Sequence, residues 1–293
     1  MEGMLRIGLE CIPCVLSIVI RTSRYAAGGD LEKQKEILKK ALSKLSRITW
    51  EENPMDVSSE LQELVTETTG VRDPYREIKR KSNEAVLRYY PKLERMVEES
   101  SEPLKTAAKI AAAGNLIDLA AYSSVDLDAP LRSLERAEFA IDDYDKFAER
   151  VLNAEKLLFL FDNAGEVIFD KLLIETMVKV RRRPFDRITF VGKEKPLIND
   201  VTSDELRELG FESFPNAIIK SLGFGNRGSV HLKNGEVRRW FGEHDLIILK
   251  GQGNLEAFFK SVSAFFLLAV KCVVVERALG VKQGSFVLLY SEK

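Results

Sequence analysis

Leu157 to Lys171 reads LLFLFDNAGEVIFDK, and the fold follows from how this stretch is parsed. Leu157 to Phe161 is an uninterrupted apolar run of strand length, which suits a strand buried on both faces. Asp162 and Asn163 end it, Ala164-Gly165 turns the chain, and Glu166 opens a stretch whose Val167, Leu173, Ile174 and Met177 share one helical face. A carboxylate and an amide therefore stand together where a buried strand gives way to a helix. In open α/β sheets that is where ligands bind, and the pair offers hard oxygen ligands of the kind Mg²⁺ or Mn²⁺ takes. A helix cap would account for one of the two residues but not both. A site is the better reading.

The same alternation continues to the C-terminus. Arg187 to Val191, Asp245 to Leu249, Ala264 to Glu276 and Phe286 to Tyr290 read as further strands, with helices between the earlier ones, the pattern of a mainly parallel sheet. Asn199-Asp200-Val201-Thr202 lies in the loop after the second strand, with Ser203 or Asp204 expected to cap a helix through Leu209. Lys250-Gly251-Gln252-Gly253-Asn254 follows the third strand, before a helix expected near Leu255. A lysine before a glycine turn at a strand's carboxyl end suits an anion, held by backbone N–H groups and a counter-charge. Ser221 to Ser229 is glycine-rich but matches neither a Walker loop nor a dinucleotide fingerprint.

Residues 1 to about 145 read as helical, without good strand patterns. Helices are expected over Leu31 to Ile48, Asp56 to Thr69 and Ala107 to Ala121, and a long one after Asp73-Pro74-Tyr75, with Asp73 as its cap. Tyr75, Lys79 and Asn83 fall four apart on that helix, either as part of a solvated stripe or lining a polar cleft. Asn115 sits on an apolar small-residue helix, where a buried amide must find partners, either a ligand or a neighbouring backbone. Cys11-Ile12-Pro13-Cys14 offers half of a tetrahedral zinc shell. No second such pair exists, the histidines are only His231 and His244, and Cys272 reads as a buried apolar residue. Two buried small residues are the favoured reading of the pair, with redox pairing as the other.

The 293 residues carry a formal net charge of −1, which leaves no basic excess to displace counterions from nucleic acid. Arg6, Glu10 and Arg21 interrupt the N-terminus where a signal sequence needs its apolar region, and no apolar run approaches membrane-spanning length. A cytosolic protein without membrane or nucleic-acid partners is expected. The abundance of Lys and Glu hints at a thermophilic source.

Taken together these motifs resemble the metal-dependent damage-control phosphatases related to protein-glutamate O-methyltransferase-like proteins. The matching stretches are Asp73-Pro74-Tyr75 with Lys79 and Asn83, Gly114-Asn115, Asp162 to Glu166, Asn199 to Thr202, and Lys250 to Asn254, in the family's order and across most of the chain. Cys11-x-x-Cys14 looks like the N-terminal feature of the branch found largely in archaea. The resemblance implies a divalent metal (Mg²⁺, Mn²⁺, Co²⁺ or Ni²⁺) on Asp162, Asn163 and Asp200. It implies that Lys250 contacts the substrate phosphate, with Glu166 and Asn115 nearby. Lys79, Asn83, Gly251, Gly253 and Asn254 complete the expected substrate-binding set, and Asp162, Glu166 and Lys250 the catalytic one. The implied substrate is a small phosphorylated metabolite, a sugar phosphate or a phosphopantetheine-like ester, attacked by water or by Asp162 itself. Carboxyl O-methyl transfer and noncatalytic phosphometabolite binding are the alternatives. The expected architecture is α/β in three layers, a helical region over 1–145 packed on a metal- and phosphate-binding core over 146–293.

Overall fold

The computed structural model describes residues 5–115, 137–223 and 235–293. Among the described residues five helices come first: α1 (Cys11–Ala27), α2 (Leu31–Leu45), α3 (Pro54–Thr69), α4 (Arg76–Glu98) and α5 (Pro103–Gly114). The α/β portion runs β1 (Phe139–Asp142), α6 (Tyr144–Asn153), β2 (Lys156–Leu160), α7 (Glu166–Arg181), β3 (Arg187–Lys193), α8 (Ser203–Glu208) and β4 (Ala217–Leu222). It continues with α9 (Gly235–Glu243), β5 (Leu246–Lys250), α10 (Gly251–Phe258), β6 (Ala264–Ala269), α11 (Val273–Leu279) and β7 (Phe286–Ser291).

The strands form one seven-stranded sheet in the order β1-β7-β6-β5-β2-β3-β4. Every neighbouring pair is parallel except β6 and β7, which pair antiparallel. Period-2 alternation sorts the strand side chains between two cores. Leu157, Phe159 and Phe161 pack with Ile248 and Phe265 against α4 to α7. Leu158 and Leu160 pack with Leu249 and Phe266 against Trp240 of α9, Leu255 and Phe258 of α10 and Val275 of α11. Helices thus cover both faces, the three-layer arrangement expected. A third core, with Ile7, Val19, Ile37, Ala41, Leu61 and Val65, joins α1, α2 and α3 into a small bundle.

Successive crossovers run outward from the middle: β2 to β3 to β4 on one side, β5 to β6 on the other. β2 and β5 are neighbours, so the carboxyl ends of these two strands flank the topological switch point.

Several elements depart from the sequence reading. The strand β1 lies within the region read as helical; it pairs at the sheet edge with β7, and its four residues are too few to show a period. The run from Ala264 to Glu276 is a strand only to Ala269, after which Val273–Leu279 is helical, because β-branched valines do not forbid a helix once its face is buried. α3 begins two residues early, with Asn53 Oδ1 accepting the Met55 N–H at 2.9 Å. Asp73 makes the same kind of turn, accepting from Tyr75 N, so α4 starts later, at Arg76. α8 is capped by Thr202, in a reciprocal box with Glu205, rather than by Ser203 or Asp204. α10 starts directly at Gly251. Residues 116–121 of the small-residue helix, 224–229 of the glycine-rich loop and His231 lie outside the described residues.

Thr202 and Ser203 pass so close to the end of β3 that a Cβ on Gly192 would stand 2.5 Å from the Ser203 nitrogen. Backbone cannot swing aside as a side chain does, so Gly192→Ala should destabilise the fold by about 1–3 kcal/mol, read as a lower denaturant midpoint at unchanged slope.

Candidate active site

Asp162 leaves β2, and its backbone carbonyl accepts the Val201 N–H at 2.9 Å while Ala164 N donates to Asn199 O at 2.8 Å. These bonds clip the Asp162 turn to the Asn199-Asp200 loop, so Asn163 and Asp200 become bridge partners 37 positions apart. Neither Asp162 nor Asn163 caps α7: its N-cap is Gly165, without a side-chain cap bond. The Gly165 N–H is taken by Asn83 Oδ1 at 2.6 Å. Both site residues are therefore free of helix-capping duty.

What their side chains do instead is an ordered arrangement of amides between carboxylates. Asn163 Nδ2 donates to Asp162 Oδ2 at 2.7 Å and to Glu166 Oε2 at 3.1 Å. Asn115 Nδ2 donates to the same two oxygens, at 3.0 and 2.7 Å, while its Oδ1 accepts the Ala269 N–H at 3.2 Å. Of the two readings of Asn115, the bond to a neighbouring backbone is the one observed, and its nitrogen serves two carboxylates besides. With its nitrogen committed to two carboxylates, Asn163 presents its carbonyl oxygen on the opposite side, as a metal ligand requires.

Lys250, at the end of β5, is completely buried. Its Nζ lies 3.1 Å from Glu166 Oε1, 3.1 Å from Asp170 Oδ1 and 2.8 Å from Ala111 O. An ammonium has three protons, and here each has a protein oxygen. The structure thus places Lys250 beneath the site, with its charge spent on Glu166 and Asp170. Glu166, also read as catalytic, is just as engaged, with its oxygens on Lys250, Asn115 and Asn163. Lys79 is buried in ion pairs with Asp73 at 2.9 Å and Glu205 at 2.8 Å, which tie α4 to α8. Asn254 Nδ2 bonds Phe161 O and Lys250 O, joining the ends of β2 and β5. Lys79, Asn83 and Asn254 are thus brought around the site as braces, each with protein partners.

Gly251 and Gly253 do approach the reacting face. Gly251 has φ +77°, and a Cβ there would fall 1.8 Å from Asp162 Oδ2; one on Gly253 would lie 3.1 Å from Met55 Sδ. Three contributors were not singled out from the sequence. Asp170 sits one turn beyond Glu166 in an otherwise apolar helix. Lys193 ends β3 and reaches Asp200 at 3.5 Å. Lys271 follows β6, is exposed, and acts with Lys193 to lower the Asp162 pKa. An i,i+4 search from Glu166 finds Asp170; nothing local marks the two lysines.

The electrostatics follow from counting. Asp162, Glu166, Asp170 and Asp200 are buried with Lys193 and Lys250, which leaves an excess of two negative charges among the described residues of the cluster. Burial, with the neighbouring Glu166 and Asp200, pushes Asp162 up to about 7. Burial also raises Asp200, against the pull of Lys193, and raises Asp170 well above its ordinary value despite Lys250. Burial lowers the Lys250 pKa, but Asp170 and Glu166 outweigh it and hold the ammonium above its ordinary value. Protons thus fill in for missing cations. Among the described residues no group of three His, Cys, Asp or Glu side chains is placed so as to hold a metal ion; the set at hand is two carboxylates and an amide oxygen beside Gly251.

Two outcomes follow for the metal-free protein. Asp162 holds its proton to about pH 7 when folded and only to its ordinary 3.8 when unfolded. The folded chain binds the extra proton between those values, so this group's contribution to stability is full below about pH 4, is lost as pH rises towards 7, and stays lost above. Asp162→Asn removes that loss, so its denaturation midpoint should exceed wild type at pH 8 but not at pH 4. Lys250→Met leaves two carboxylates buried without their cation and should cost about 3–5 kcal/mol of unfolding free energy, measured by chemical denaturation at pH 7.

A family model, the damage-control phosphatase ARMT1-like domain, matches residues 7–287. The damage-control phosphatase PH1575 of Pyrococcus horikoshii is 32% identical, over 97% of this chain and 98% of its own. A damage-control phosphatase of Archaeoglobus fulgidus is 31% identical over 79% of this chain and 80% of its own. The crystal structure of PH1575, described as a DUF89 family protein, superposes with a TM-score of 0.84 at 29% identity, covering 98% of this chain and 100% of that one. The chain belongs to the damage-control phosphatase family with the ARMT1-like domain.

Proposed function

We propose that the protein is a divalent-metal-dependent phosphatase of small phosphomonoesters that acts on damaged phosphometabolites; its relatives are named damage-control phosphatases. The observation that carries the metal is the charge count. Four buried carboxylates stand against two buried lysines at the switch point of a parallel sheet, an imbalance that protons meet in the metal-free protein, beside the Asn163 amide. One divalent ion on Asp162, Asn163 and Asp200 meets that imbalance and takes over from the protons. Hard oxygen donors suit Mg²⁺, Mn²⁺, Co²⁺ or Ni²⁺. Such an ion, when bound, polarises a phosphoryl oxygen.

The chain's own residues do the rest. Lys250 pairs with Glu166, and Glu166 holds the Asn163 and Asn115 amides in one orientation, so the site needs no reorganisation when substrate arrives. Lys250 acts from below as a positioning charge. The cation that meets phosphate from the open side is Lys271, exposed at the rim, with Lys193 behind it. The first N–H groups of α10, beside Asp162 and without helical acceptors of their own, add donors for phosphate oxygens. The α1–α3 bundle brings Met55 over Gly253 and so closes one side of the mouth.

The experiment is a hydrolysis screen over sugar phosphates, nucleotides and phosphopantetheine, repeated with each of the four metals and with chelator. Turnover should require metal. Asp162→Ala and Asp200→Ala should each abolish it and lower bound metal, with circular dichroism unchanged. Full metal occupancy and near-native turnover in both variants would place the site elsewhere. Calorimetric binding of a methyl donor without any phosphate release would favour the methyltransferase reading, and metal-dependent phosphometabolite binding without turnover the noncatalytic one.

A further inference from the structure

The cysteines are distributed unlike the buried apolar residues that the sequence suggests. Cys14 is exposed, and Cys11 and Cys272 are half-buried; all three are free thiols. Cys11 and Cys14 stand one turn apart at the start of α1, where side chains three residues apart are neighbours, about 5–6 Å between Cβ atoms. Cys272 is more than 250 positions away in sequence, at the N-cap of α11. The fold brings the two helix starts together. Glu10 pairs with Arg277 of α11 at 2.7 Å, and a Cβ on Gly8 would lie 3.5 Å from Val274 Cγ2. The Gly8 N–H in turn donates to Cys11 Sγ at 3.4 Å.

Behind the sulfurs lies Glu256, buried on α10. Gln252 Nε2 donates to Glu256 Oε1 at 2.9 Å and to Cys272 Sγ at 3.1 Å, so one amide joins the carboxylate to the third thiol. Asn53 Nδ2 reaches Glu256 O and Leu5 O, pinning the chain before α1 onto the same helix. Burial raises Glu256 to about 7, and only the Gln252 bond lowers it, with no cation contributing. Burial also raises the Cys11 thiol, and Glu256, Cys272 and Cys14 raise it further. Partial desolvation, Cys272 and Glu256 do the same to Cys14, against Arg21. Four acidic groups from three parts of the chain thus stand near one another, and the two thiols of α1 feel the charges of the others, an effect that a single cation there would reverse.

We propose that Cys11, Cys14 and Cys272, backed by the Glu256 carboxylate, form a second metal site for one thiophilic divalent cation of the zinc class. The chemistry is sulfur-rich and tetrahedral, unlike the oxygen ligands at Asp162. The side chains do not converge as a metal shell in the present rotamers. Closing the site takes rotation of Cys14, whose exposed side chain turns freely, and release of the Gln252 bonds to Cys272 and Glu256. Binding releases the thiol protons, so affinity rises with pH. The site sits where the α1–α3 bundle meets α10 and α11, and a metal there clamps that junction.

The test uses the full-length protein, reduced and stripped of metal, titrated with Co²⁺ as the spectroscopic probe. Wild type should develop a near-ultraviolet thiolate-to-cobalt band at one equivalent, and Zn²⁺ should displace it. Cys272→Ser and the Cys11→Ser/Cys14→Ser pair should each lose most of the band, while Asp162→Ala should keep it. Oxygen ligands at the phosphatase site give no such band, so failure of that site and failure of this one are distinguishable. Should a serine variant not fold, wild type still decides: Zn²⁺ should shield all three thiols from alkylation, read by mass spectrometry. No band at any equivalence, a full band in Cys272→Ser, or alkylation of Cys272 unaffected by Zn²⁺ overturns the proposal.

Discussion

The arrangement of the site depends on one buried ammonium. Lys250 sits under the sheet's switch point with Glu166, Asp170 and the Ala111 carbonyl around it. Without this cation, Glu166 and Asp170 would be buried carboxylates with no counter-charge beside them. With it, Glu166 is held in place and aligns two amides. The ion pairs of a buried lysine are poor evidence for net stability, because desolvation offsets the attraction. Their consequence here is geometric: one orientation of Asn163 and Asn115, and hence one place for a ligand oxygen.

The same cluster links structure to chemistry through its charge imbalance. Nothing in the packing of β2 or β5 requires four carboxylates against two lysines. A protein selected only for stability would replace such groups with apolar ones. The cost is relieved when protons enter, which is why Asp162 is pushed up to about 7, and the divalent ion proposed above would relieve it in the same way. Lys271 and Lys193 extend the positive field beyond the buried cluster. Around it, Lys79, Asn83 and Asn254 hold α4, α7, α8 and the strand ends in register. These three act on the site through the backbone they fix.

How much was legible beforehand follows from the range of each signal. Leu157 to Glu166 was readable because strand, turn and helix start are consecutive, and each has a local physical signature. The parallel sheet was readable from repeated alternation of apolar runs and helices. β1 was missed because four residues at a sheet edge carry no period, and the helix after Ala269 was missed because a valine run satisfies either element. Asp162 and Asn163 were nominated by residue chemistry at a strand end and Asp200 by the family resemblance, and the structure brings the three together. The reading of Lys250 as a phosphate contact differs from its observed place beneath the site. Sequence placed it at the right strand end but said nothing of Asp170 on the helix packed below.

Sequence alone therefore determined most element types, the sheet class and the loops that bring Asp162, Asn163 and Asp200 to the strand ends. Those are properties of short stretches, set by periodicity, turn residues and side-chain chemistry. Only the tertiary structure decided which charges face which. It turned Lys250 inward and left Lys271 at the rim. It set Asn115 between two carboxylates nearly fifty positions away and brought Cys272 to Cys11 and Cys14. Such pairings depend on strand order and helix packing across the whole chain. A buried charge is stabilised or penalised by its neighbours in space, and those neighbours are not its neighbours in sequence.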